Sequence, residues 1–206
     1  MKTEIILVRH SEPLKLQMFL KNGNLQELNE LIPLSLNGEL KAKEMSQKEI
    51  FNDVSVVISS KYIRALDTAK YIAERNSCKL IVDSNLGERK LGTENRDKKF
   101  WVTQLIEPDA KTKDGESQRE VRNRMLAVVK DTLNKYCGGK IVLVSHATAI
   151  TFLLMNWCNL EEVELENKRR KLTFNNNVVI NDNFMTPDIF KLIFEDDVIK
   201  SIERII

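Results

Sequence analysis

The stretch Ile5-Ile6-Leu7-Val8-Arg9-His10 runs four apolar residues straight into an arginine and a histidine. Three of the four are β-branched and none alternates with a polar residue, the pattern of a strand buried on both faces of a parallel sheet. Ile141-Val142-Leu143-Val144-Ser145-His146 repeats the design, and His10 and His146 are the only histidines in the chain. Two more short apolar runs, 54–59 and 79–83, bring the predicted strands of this type to four: 4–8, 54–59, 79–83 and 141–145.

Helical spacing fills the intervals. In 61–75, Ile63, Ala65, Leu66, Ala69, Ile72 and Ala73 share a face, with Ser60 available as the N-cap. In 117–136, Val121, Met125, Leu126, Val129 and Leu133 do the same, until Gly138-Gly139 ends the helix. Strands alternating with helices predict a three-layer α/β/α fold with a mostly parallel central sheet. Val178–Ile180, Ile189–Phe194 and Val198–Ile205 read as an antiparallel C-terminal edge of that sheet, with Glu195-Asp196-Asp197 as a hairpin turn. The basic run Lys168-Arg169-Arg170-Lys171 reads as the end of a helix that starts near Asn159, its cations facing the negative helix end. The segment 14–31 reads as two short helical pieces, or an excursion overhanging the first histidine.

The 206 residues suit one domain, 1–206, with a sizeable core. With 42% hydrophobic and 30% charged residues, disordered and fibrous classes are excluded. The 32 basic and 30 acidic residues nearly cancel, which gives no general drive toward nucleic acid or an anionic membrane. Cys78, Cys137 and Cys158 are few, odd in number and far apart, as expected of reduced thiols in a cytoplasmic protein. No signal-peptide core precedes Arg9 and no window approaches a membrane span.

Parallel α/β sheets bind ligands at the carboxyl ends of their strands. That edge would collect Arg9, His10 and His146; Arg64 lies one turn into the helix after Ser59-Ser60, and Glu88 follows the run 79–83. Each alone is bland: a solvated strand end, a core histidine, a surface arginine, a charged loop. Together they place the whole histidine stock where a ligand sits. Two imidazoles, two arginines and an acid suit phosphoryl transfer. A neutral imidazole attacks phosphorus and holds the phosphoryl group, which divides one hard displacement into two easier ones. Arginines supply forked donors to the phosphoryl oxygens. A carboxylic acid protonates the leaving alkoxide.

At this point the sequence resembles the histidine phosphatase superfamily, also called phosphoglycerate mutase-like. Arg9-His10-Ser11 is similar to the family's Arg-His-Gly. Pro33-Leu34-Ser35-Leu36-Asn37-Gly38 is similar to its Pro-Leu-Thr-x-x-Gly, and Ser59-Ser60-Lys61-Tyr62-Ile63-Arg64-Ala65 to its Ser-Ser-Pro-x-x-Arg-Ala. Leu86-Gly87-Glu88 through Gly92, Gly115-Glu116-Ser117 and Ser145-His146-Ala147 follow in the family's order. The resemblance implies a phosphoglycerate mutase-like fold in which His10 is the nucleophile and Glu88 the proton donor, while Arg9, Arg64 and His146 form the phosphate pocket. Ser11 and Ala147 stand where the family has glycine, Lys61 where it has proline, and Thr93-Glu94-Asn95 where its phosphatases often have Trp-Glu-Gly.

The expected activity is therefore metal-independent hydrolysis of a small phosphorylated metabolite through a phosphohistidine, without a cofactor. The alternatives are a phosphoglycerate mutase-type transfer or a catalytically weak phosphate-binding regulatory module. The stretch 93–114 lacks the Arg-Arg-x-Tyr-like element by which the family's mutases hold a sugar-acid carboxylate, which favours hydrolysis. No aromatic platform accompanies the basic run 168–171, so a nucleic-acid partner is not expected, nor is a membrane partner. Phe100-Trp101 reads as core packing before it reads as an apolar lid, and Leu153, Leu154, Met155 and Trp157 as core or pocket wall, with Met18, Phe19 and Leu20 read alike. The substrate's identity and the oligomeric state are not legible in the sequence.

Overall fold

The structure, a computed structural model, describes residues 1–15, 25–92 and 99–205. Its main sheet contains β1 (Lys2–Arg9), β2 (Val56–Ser59), β3 (Lys79–Val82), β4 (Lys140–Ser145), β8 (Asp188–Glu195) and β9 (Val198–Ile205) in the order β3-β2-β4-β1-β8-β9. The first four are mutually parallel; β8 runs antiparallel to β1, and β9 to β8. The fold is thus the α/β class expected, with an antiparallel C-terminal edge.

The apolar runs lack alternation because both faces of the sheet are covered. Ile5, Leu7, Val56, Ile58, Ile141 and Leu143 pack on one side with α5 (Gln118–Lys135) and α6 (Ala147–Leu154). Ile6, Val8, Val57, Val142 and Val144 pack on the other with α3 (Ile63–Asn76) and Met45 of α2 (Leu36–Ser46). Leu153 and Leu154 are fully buried, and Met155 and Trp157 pack on the same core. Edge strand β3 departs from the pattern: Leu80, Ile81 and Val82 are exposed at the rim of the sheet.

Three expectations are corrected. Residues 159–182 contain no helix and do not join the main sheet. They form a separate antiparallel meander of β5 (Asn159–Glu164), β6 (Arg169–Phe174) and β7 (Asn177–Asp182), which takes Val178–Ile180 with it. Consequently the basic run alternates faces: Arg169 and Lys171 reach outward to Glu162, while Arg170 turns inward and is buried. Ser60 is not the N-cap of α3, which begins after Tyr62; its hydroxyl accepts from the Tyr62 N–H instead. Of the segment 14–31, α1 (Leu25–Leu31) is one helical piece, and 16–24, with Met18, Phe19 and Leu20, lies outside the described residues. Thr93-Glu94-Asn95 lies outside them as well. Among the described residues no helix is long and apolar enough to cross a membrane.

Two small motifs fix the loops around the sheet's carboxyl edge. Ser117 caps α5 in a reciprocal box with Glu120. Gly38, in the first turn of α2, lies so close to the chain after β1 that a Cβ there would stand 2.1 Å from the Glu12 carbonyl oxygen. Gly38→Ala should therefore lower stability by about 1–3 kcal/mol, read as a fall in Tm of roughly 2–4 °C for each kcal/mol. An unchanged Tm would show that this approach is not constrained.

Candidate active site

Parallel pairing in register brings the strand ends together. Arg9 lies opposite Ser145, Ser59 opposite Val144, and the next peptides continue the ladder with His10 N–H donating to Ser145 O and Ser60 N–H to Val144 O, both at 3.0 Å. His10 and His146 leave neighbouring strands at the same level, their ring centroids 5.0 Å apart. Arg64 enters from the first turn of α3 and reaches both. Its Nε donates to His10 Nε2 at 3.1 Å, and its Nη2 lies 3.3 Å from His146 Nδ1. Nη1 donates to the Asn29 carbonyl of α1. All three side chains are at most 5% exposed.

The tautomers follow from this geometry, because a guanidinium only donates. His10 Nε2 and His146 Nδ1 must be acceptors. His10 therefore carries its proton on Nδ1, donated to the Ser11 carbonyl at 2.7 Å, and His146 carries its proton on Nε2, donated to Ser60 Oγ at 2.9 Å. Both rings are held neutral well below the ordinary histidine range. For His10 the main cause is burial, then the charge of Arg64; for His146 it is burial, then His10 and Arg64. The Tyr62 ring packs against His146 with centroids 4.5 Å apart.

Glu88 approaches from the loop after β3. Its carboxylate accepts from the N–H groups of Thr148 and Ala149 in the first turn of α6, and from Arg89 N–H. Arg124 of α5 holds that loop by donating to the carbonyls of Asn85, Gly87 and Glu88, and is itself held by Glu116 through two bonds of 2.8 and 3.0 Å. The motif at 115–117 thus serves to place Glu88. The charge of Glu88 is felt by Arg9 and Arg64, raising the affinity of each for its proton against the larger effect of burial.

Of the five side chains expected here, His10, Arg64 and His146 form one bonded cluster. Glu88 stands beside it at the head of α6. Arg9 points elsewhere, its Nη1 donating to the carbonyls of Phe184 and Met185, and it lines a cavity of about 1000 Å³. Arg89, Trp101, Ala147, Thr148 and Arg170 share that wall. Both Phe100 and Trp101, which open α4 (Phe100–Ile106), line the cavity, and Trp101 also packs on the core. Ser11 does not crowd the rings: its hydroxyl turns away to the Gly38 carbonyl at 2.8 Å, and its N–H donates to Thr68 Oγ1. Arg124 and Arg170 were missed in the sequence; the signal for Arg170 was a period of two within the basic run. Among the described residues no group of three or more His, Cys, Asp or Glu is placed to hold a metal ion.

Comparison with known proteins gives this geometry a context. The family model of the histidine phosphatase superfamily (branch 1) matches residues 5–184. The probable phosphoglycerate mutase GpmB of Klebsiella pneumoniae is 31% identical over 132 residues, covering 59% of this chain and 61% of that protein. GpmB of Proteus mirabilis matches to the same extent. The chain thus spans about 61% of the length of the curated relatives it matches. Among solved structures, a mycobacterial glucosyl-3-phosphoglycerate phosphatase has a TM-score of 0.70 at 16% identity, covering 98% of this chain and 97% of that one. Phosphoserine phosphatase from Entamoeba histolytica has a TM-score of 0.64 at 21% identity, with 98% and 96% covered. These two share the fold.

The neutral rings give stability a pH dependence of defined sign. The folded rings stay unprotonated where those of the unfolded chain, with an ordinary value of 6.5, take up protons. The unfolded state thus binds more protons, and stability falls as the pH drops below about 6.5, by up to about 1.4 kcal/mol per pH unit for each ring. Urea unfolding between about pH 7.5 and 5 should show this slope, and His146→Asn should remove its share. A profile that is flat and identical in both proteins would contradict the burial of neutral rings.

Proposed function

Since the chain belongs to branch 1 of the histidine phosphatase superfamily, we propose that it is a phosphomonoester hydrolase working through a phosphohistidine. One observation carries the reading: a buried, neutral His10 with its Nε2 lone pair turned toward the Arg64 guanidinium. Nucleophilic attack by imidazole requires that lone pair, and the Nδ1–H bond to the Ser11 carbonyl keeps the other nitrogen out of the reaction.

In the free protein Arg64 occupies the lone pair. An arriving phosphoryl group takes Arg64's place against Nε2, and the guanidinium turns its fork to the phosphoryl oxygens. His146 lines the same oxygen pocket, while Arg9, held by the Phe184 and Met185 carbonyls, lies on the wall of the cavity beside Ala147. Nε2 attacks phosphorus, the P–O bond to the leaving group breaks, and the protonated Glu88 carboxyl gives its proton to the departing oxygen. Glu88, now a carboxylate, accepts a proton from water as that water attacks the phosphohistidine. Cleavage of the N–P bond releases inorganic phosphate and restores both groups.

The relatives' names include both mutases and phosphatases, and hydrolysis is preferred because 93–114 lacks the mutase element. Acid quench during turnover of a labelled phosphomonoester should trap label on His10, and the product should be inorganic phosphate. An isomerised phosphoester as product would make it a mutase; absence of any labelled histidine would remove the covalent route.

Two substitutions separate the roles. His10→Ala should abolish turnover. Glu88→Gln should slow an alkyl phosphate by about 10²–10⁴ but nitrophenyl phosphate far less, since a good leaving group needs no proton. Equal losses on both substrates would take the acid role away from Glu88.

A further inference from the structure

The meander β5–β7 brings a charge to the cavity that the proposed chemistry does not use. Arg170 is 3% exposed. Its Nε donates to Thr151 Oγ1 at 3.0 Å and its Nη1 to the Lys168 carbonyl at 3.2 Å. Its guanidinium carbon lies 4.3 Å from the Phe184 ring centroid and 5.8 Å from that of Trp101. Among the described residues it has no carboxylate within ion-pairing distance, and its Nη2 has no hydrogen-bond acceptor. The nearby Arg204, over the same Phe184 ring, is neutralised by Asp182 and Asp188.

Arg9 is in the same state on the same wall. It forms no ion pair among the described residues, its Nη1 is held by the Phe184 and Met185 carbonyls, and its Nε is buried with no acceptor. Among the described residues, these make with Arg89 and Lys168 four basic side chains on the cavity wall against one acidic, Glu166. Burial, with Arg9 adding repulsion, pushes Arg170 down to about 10, so it remains a cation at neutral pH. A buried guanidinium whose acceptors are neutral is costly unless an anion arrives to meet it.

We infer that Arg170 is a specificity-determining residue, reading a second negative group (carboxylate or phosphate) on the leaving-group side of the substrate. This rests on the hydrolase reading above and narrows its substrate class to phosphomonoesters of anionic alcohols. The Phe184 and Trp101 rings pack on the guanidinium, and Nη2 is the donor left for the ligand.

Calorimetric binding of non-hydrolysable phosphonates tests the subsite without turnover, so its outcome is independent of the phosphohistidine test. The probes are 3-phosphonopropionate, propane-1,3-diphosphonate and propylphosphonate. The wild-type protein should bind at least one doubly anionic probe more tightly than propylphosphonate, and which one identifies the second group as carboxylate or phosphate. Arg170→Met should weaken the preferred probe by about 10- to 100-fold, leave propylphosphonate within about threefold, and leave Tm unchanged or raised. Arg170→Lys should recover part of the loss. No discrimination by the wild-type protein, no binding of any probe, or an equal loss on all probes with a lowered Tm would overturn the inference.

Discussion

The site depends on a single guanidinium suspended between two imidazoles. Arg64 is buried, forms no ion pair among the described residues, and spends its fork on three neutral acceptors: His10, His146 and the Asn29 carbonyl. No described carboxylate bonds it, and Glu88 acts on its charge only at a distance. That charge helps hold both rings neutral, fixes which nitrogen of each ring keeps its proton, and offers a dianion the counter-charge the protein withholds.

Arginines close to the site are treated differently. At two supporting ones the fold supplies a carboxylate: Arg124 has Glu116, and Arg204 has Asp182 and Asp188. Where the fold faces the cavity or the rings, at Arg9, Arg64 and Arg170, it supplies none among the described residues. Stability is surrendered at these positions, and the core clusters on the two faces of the sheet offset it. The same division separates residues that position from residues that face a ligand. Arg124 holds the loop of Glu88 but reaches toward backbone carbonyls.

Much of this was legible in the chain. The four apolar runs marked the parallel strands because burial on both faces removes alternation, and a histidine at the end of two of them marked the carboxyl edge. The meander was not legible. Its charged residues, Glu161, Glu162, Glu164, Arg169, Arg170 and Lys171, overwhelm any apolar signal, and its single buried arginine looks like a helix-end charge when read without knowing the period. Ser60 was misread for a related reason: a serine before a helix is usually a cap, but here the hydroxyl serves His146. The orientation of Arg9, away from the rings, depends on carbonyls of Phe184 and Met185, far from it in sequence.

The arrangement of protons around Arg64 is directly measurable, and two histidines make the spectrum simple. Long-range ¹⁵N–¹H correlation at neutral pH should show both rings neutral and of opposite tautomer, Nδ1–H for His10 and Nε2–H for His146, each assigned by its His→Asn variant. A doubly protonated ring, or two rings of the same tautomer, would contradict the account at its centre.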